Sequence, residues 1–240
     1  MIINFGEEIM AKRPVFVVNN NMINFYDTVD IEFEWYSGFS IAQKQKSINA
    51  LHRNFINEYK DKNILEISSK SMNSIGVQLS AFNLKLKCNN GKVYTVESLF
   101  QSSKVFTDGT NNKDLLEKTS LEAKQEAKLR SKKELECFEC FGYKWELEPK
   151  TMFYDWLYIN AVAQNKNLLN ELIKYDAFTD IEFNPNKSFN CQAKSAAMIV
   201  SLYNNNMLER ALESVKNYKE IILNNKVEKV TEEIQQLTLF

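Results

Sequence analysis

Only six glycines and three prolines occur in 240 residues, against 16 Phe, 10 Tyr and 3 Trp. A chain this poor in breakers and this rich in aromatics has little material for open loops. It has abundant side chains to bury, so it folds around a sizeable core rather than staying disordered. The same scarcity removes glycine-rich phosphate cradles, and neither G-x-G-x-x-G nor a P-loop occurs. The length suits one large domain or two small ones. The formal net charge is -1. Contact with nucleic acid would therefore run through a local basic patch, not a global field.

A single histidine, His52, is present. Multi-histidine metal sites are thereby excluded, and any nucleophile–histidine pair would have to use it. Packing or surface exposure is the ordinary reading of His52. Cys137 and Cys140 form a lone C-x-x-C among apolar neighbours, with Cys88 and Cys191 elsewhere. They read as buried thiols in a strand; no second ligand pair has zinc spacing. Glu7 and Glu8 stand where a signal peptide would be basic and apolar, and no run is long enough to span a bilayer. A cytoplasmic protein with reduced thiols is expected, with no metal or cofactor. The first ten residues read as a leader, with Met10 an alternative start.

Patterning predicts an α+β fold dominated by helix. Val15–Val18 and the alternating Val29–Trp35 read as strands, followed by a helix capped by Ser40 with Gln43 and ending near Asp61. Ile64–Ile67 and Phe82–Lys87 read as further strands, then Asn89-Asn90-Gly91 as a turn. Thr95 is placed to cap a helix running to about Phe106, and Ser120 a polar helix to about Lys133. Glu136–Lys144 reads as one strand. Pro149 suits the first turn of the next helix. Phe178–Phe183 is a short extended piece. Helices are expected over 190–205, 207–224 and from about 226.

The stretch GKVYTVESLFQSSKVF, Gly91 to Phe106, concentrates the chemistry. On a helix from Thr95, Glu97, Gln101 and Lys104 fall at i, i+4 and i+7 and share one ridge. A carboxylate, an amide and an amine so placed suit acid–base or amine chemistry. From spacing alone a solvated polar face is the ordinary reading. The helix Lys124, Lys128, Arg130, Lys132, Lys133, interleaved with Glu122, Glu126 and Glu134, reads as a solvated face or a DNA phosphate track.

These residues carry a resemblance. Leu79, Ser80, Phe82, Tyr94, Thr95, Glu97, Phe100, Gln101 and Lys104 resemble the ordered signature of the NADAR family of YbiA-like N-glycosidases. Trp145 followed by Met152, and Asn190 within SFNCQAKSAAMIVSL, resemble its later segments. The resemblance covers roughly residues 75–205. Arg13 to His52 is similar to NADAR proteins associated with DarT-type toxins, which attach ADP-ribose to guanine in DNA. The organisation implied is a strand–helix extension (1–74), a catalytic core (75–205), C-terminal helices (206–235) and a tail peptide (236–240). The family's D-x-x-W-G segment is replaced by Phe178–Phe183, and its usual asparagine by Ala81. Both departures argue against a riboflavin-intermediate or free-nucleotide substrate.

The resemblance implies an antitoxin that removes ADP-ribose from guanine in single-stranded DNA, with Glu97 and Lys104 catalytic. The alternatives are a small-molecule N-glycosidase and a non-catalytic protein that neutralises a DarT-type toxin by binding. Gln101, Ser80 and Phe82 would contact substrate. Trp145 would stack on a base or pack the core. Asp180 and Glu182 would bind ribose hydroxyls, and Ser188, Asn190 and Gln192 would line the diphosphate site. The final residues Gln236, Leu237, Leu239 and Phe240 resemble a bacterial sliding-clamp-binding peptide; the end of an amphipathic helix is the alternative.

Overall fold

The structure, a computed structural model, describes residues 9–21, 24–88, 90–130 and 132–223. Two nine-residue strands, β1 (Met10–Val18) and β2 (Tyr26–Glu34), pair antiparallel from Met10↔Glu34 to Val18↔Tyr26. The period-two pattern is realised: Ile31 and Phe33 are buried while Asp30 and Glu32 are exposed. Helix α1 (Ile41–Glu58) lays Ile48, Leu51 and Phe55 against Val15, Val17, Ile31 and Phe33. Ser40 accepts the Gln43 amide at 3.3 Å. The reciprocal half of a capping box is missing, because Gln43 Oε1 has no partner among the described residues.

Strand β3 (Ile64–Glu66) follows, then α2 (Ser74–Gln78) and a hairpin of β4 (Lys85–Lys87) and β5 (Val93–Thr95). The strand read over Phe82–Lys87 is thus confined to its second half; residues 81–83 form a turn. Thr95 caps α3 (Val96–Ser102), accepting the Ser98 amide at 3.2 Å. This helix stops at Ser102, short of the expected Phe106. The Ser102 and Ser103 hydroxyls both bond back to the Leu99 carbonyl, and the chain then extends as β6 (Lys104–Phe106).

A 3₁₀ turn at Lys113–Glu117 leads to α4 (Ser120–Leu129). Its cap is Thr119 rather than Ser120, in a capping box with Glu122. The stretch read as one strand at Glu136–Lys144 is two: β7 (Leu135–Cys140) and β8 (Tyr143–Trp145). Between them Phe141 at φ 51° and Gly142 at φ 82° make a tight turn, the left-handed geometry a hairpin demands. β7 lies between β6 and β8.

Helix α5 starts at Met152 (Met152–Gln164), so Pro149 stands outside it. Then come α6 (Lys166–Leu172), β9 (Ala177–Thr179), α7 (Gln192–Asn204) and α8 (Leu208–Glu213), with residues 215–223 also helical. One helix over 207–224 is therefore interrupted at Ser214. The expected last helix and the tail from Gln236 lie outside the described residues.

β9 joins β1 antiparallel and β3 parallel, giving the sheet order β2-β1-β9-β3. α1 covers one face. α5 and α7, almost wholly buried, build the larger core on the other with Leu65, Phe16 and Phe178. Asp155 and Lys194 lie within this core, 3.4 Å apart, with Ser195 donating to the same carboxylate at 2.6 Å. The four cysteines are free and buried.

Candidate active site

The N-terminus of α3 is fixed before any ligand arrives. The Val96 amide donates to the Leu84 carbonyl at 2.9 Å and the Glu97 amide to the Ala81 carbonyl at 3.0 Å. These first-turn amides have no partner inside a helix, so the 81–84 turn satisfies them. Ala81 is held in turn by Gln192, which accepts its amide at 2.8 Å and donates to the Ile67 carbonyl at 2.6 Å. One amide side chain at the start of α7 thus ties the end of β3 to the turn beneath α3.

Glu97 emerges from this frame only 5% exposed. One turn on, Gln101 donates its Nε2 to Glu97 Oε1 at 2.9 Å. Both line a cavity of about 520 Å³. Ser80, Phe82, Asp180, Glu182, Ser188, Asn190 and Gln192 line the same cavity. Residues more than 100 positions apart in sequence therefore meet around one carboxylate.

Asp180 lines the cavity, and the buried Glu66, which does not line it, acts on Asp180 electrostatically. Burial pushes both carboxyls up, and their mutual repulsion pushes Asp180 further. Glu66 accepts the Thr179 hydroxyl at 2.6 Å and the Ile181 amide at 2.9 Å. His52 Nε2 lies 2.8 Å from the Thr179 oxygen. Since that hydroxyl donates to Glu66, the ring nitrogen is the donor, and burial holds the imidazole neutral with a pKa of about 4. His52 sits within α1. Glu182 pairs with Lys44 at 3.4 Å.

Lys104 stands apart from the predicted ridge. It opens β6 instead of continuing α3, and it is not among the cavity-lining side chains. Its ammonium sits 5.3 Å from the centroid of Phe100, whose ring does line the cavity. Burial lowers its pKa, the Glu97 carboxylate opposes that, and Lys124 adds to it.

Trp145 offers no face to a base. It is 1% exposed and boxed by Phe153 at 5.4 Å, Trp156 at 5.1 Å and Tyr218 at 6.3 Å. The basic helix is largely spoken for. Arg130 forks onto Asp114 at 2.7 and 2.8 Å, and Lys133 pairs with Asp108 at 2.9 Å. Lys124 turns toward the cavity, 4.9 Å from the Phe82 ring.

Ser68, Ser69, Lys70, Leu121, Phe183 and Tyr154 also line the cavity, and sequence reasoning did not single them out; nor did it single out Glu66. Tyr154 is 6% exposed yet lines the cavity, edge-on to Phe100 at 5.3 Å. An acidic residue ending a short apolar strand, as in Ile64-Leu65-Glu66, was the available signal for Glu66. Among the described residues no three His, Cys, Asp or Glu side chains cluster as metal ligands, and no helix is long and apolar enough to cross a membrane.

The structure is thus a single α+β domain with a helix-borne carboxylate buried in a polar cavity. A family model described as DarT1-associated NADAR antitoxin matches residues 11–232, and the chain belongs to that family. No curated protein matches it.

Proposed function

We propose that this chain is an N-glycosidase that removes ADP-ribose from guanine bases in DNA, reversing a DarT-type toxin. The observation that carries this reading is the Glu97 carboxylate, buried at the cavity floor with one oxygen held by Gln101. The bond to be broken joins an anomeric carbon to the exocyclic amine of guanine. That amine is a poor leaving group and requires a proton as it departs.

In the favoured route the neutral Lys104 amine attacks the anomeric carbon. The carbon–nitrogen bond to guanine breaks, and a proton relayed through Glu97 goes to the departing guanine. The resulting glycosylamine opens to an imine, which water hydrolyses to free ADP-ribose and the amine. Burial favours this by lowering the Lys104 pKa and raising its neutral fraction. Rotation of the Lys104 side chain past the Phe100 ring is required. In the second route Glu97 activates water or stabilises an oxocarbenium-like centre directly; its position on the cavity floor favours that role.

Incubation with DNA carrying ADP-ribosylated guanosine, followed by product analysis, tests the activity: free ADP-ribose and intact guanine are expected. Borohydride then separates the routes. A trapped adduct in the wild type and none in Lys104→Ala supports the imine; equal absence overturns it. A Glu97→Ala protein that still protects cells from the toxin without clearing adducts would instead identify a purely binding antitoxin.

A further inference from the structure

A cavity of about 520 Å³ is the size of a small-molecule site. A modified base presented from a strand would enter it extruded, and its neighbours in the strand would then lie outside, over the rim. The rim is not an ordinary polar surface. Phe189 is 63% exposed, between Ser188 and Asn190, which both line the cavity. The Lys150 ammonium lies 4.1 Å from its ring centroid. On α4 and the turn before β4, Lys124 and the half-buried Phe82 repeat the arrangement at 4.9 Å. Neither lysine has a carboxylate within 4.0 Å among the described residues.

We propose that these two phenylalanine–lysine pairs clamp the nucleotides flanking the target guanine. Each ring offers a face to one neighbouring base, and each ammonium takes the adjoining phosphate. An exposed aromatic beside an unpaired cation is the combination single-stranded nucleic acid selects, because every base has a π-face and every linkage a negative charge. The proposal rests on the glycosidase reading and adds its substrate class: a strand of at least three nucleotides, not a free nucleotide.

The test compares an ADP-ribosylated single-stranded oligonucleotide with the ADP-ribosylated guanosine mononucleotide. In Phe189→Ala/Lys150→Ala, KM for the oligonucleotide is expected to rise about tenfold or more, while kcat/KM on the mononucleotide stays near the wild-type value. Phe189→Tyr, which keeps a stacking face, should restore the oligonucleotide KM. The salt dependence of binding to an unmodified strand should weaken by about one phosphate contact in Lys150→Ala. An unchanged oligonucleotide KM in the double variant overturns the clamp. Wild-type inactivity on both substrates overturns the glycosidase reading instead.

Discussion

Gln101 donates its amide to the Glu97 carboxylate at 2.9 Å, and its own carbonyl oxygen is left buried without a partner among the described residues. A structural amide in a core would use both ends, as Gln192 does. The asymmetry therefore assigns Gln101 to the carboxylate and leaves one acceptor aimed where a ligand donor would fit. Gln101→Leu removes a hydrogen bond to a charged group, worth about 1.5–3 kcal/mol. If that bond orients Glu97 in the transition state, kcat falls about 10- to 100-fold at a temperature where the variant is still folded, beside a melting temperature lower by several degrees. Steady-state kinetics alongside a thermal melt check both halves. A large loss of stability with unchanged kcat would make Gln101 a packing residue.

The depressed pKa of Lys104 gives the imine route a pH signature. Activity should climb as pH rises through that pKa, because only the neutral amine attacks. Lys124 contributes to the depression as a like charge. Lys124→Gln removes it, stabilises the ammonium, and should move the rising limb of kcat/KM to higher pH. A limb that stays in place, or moves down, counts against Lys104 as the titrating group.

The Glu97–Gln101 pair of α3 was legible because it is local: a threonine cap, a first-turn carboxylate and an amide four residues on lie within one short segment. Its end was not. Ser102 and Ser103 turn the chain out of the helix and β7 recruits Lys104 into a sheet, and neither the back-bonds nor the strand partner 34 residues away can be read from spacing. Trp145 was ambiguous for the same reason, since its burial depends on Tyr218 and Trp156, which reach it from separate helical stretches. Asp180, Asn190 and Gln192 were found through resemblance rather than pattern. Glu66 and the His52–Thr179 contact, bridging 127 positions, had no local signal strong enough to name them.

Gly76 is tested by size. A Cβ built there would lie 2.0 Å from the Glu66 carbonyl oxygen and 2.5 Å from Ser71 Oγ. The serine can rotate, but the carbonyl belongs to the end of strand β3. Gly76→Ala is therefore expected to cost about 3 kcal/mol, at the upper end of overpacking, and to lower the melting temperature by about 10 °C. Denaturant titration of the two proteins measures it. A loss below about 1 kcal/mol would mean that α2 shifts freely on β3.

His52 supplies a stability prediction whose sign is fixed by its neighbours. Its ring donates to Thr179, which donates to Glu66, and burial holds its folded-state pKa near 4, below the ordinary 6.5. As pH falls from 6.5, the unfolded chain takes up the proton first. Stability from this group is therefore complete above about pH 6.5, declines between 6.5 and 4, and levels below 4, a loss on the order of 3 kcal/mol. Glu66 and Asp180 act in the opposite sense. Their carboxyls are raised in the fold, so their contribution is present at low pH and is lost as pH rises through the folded values. The whole-protein profile mixes both, and the difference from His52→Gln isolates the first, because glutamine still donates to Thr179 but does not titrate. Urea unfolding of the two proteins between pH 7 and 4.5 should show the gap between them shifting toward the variant as pH falls. A gap independent of pH would mean that the imidazole titrates alike in the folded and unfolded chains, so that burial does not lower its pKa.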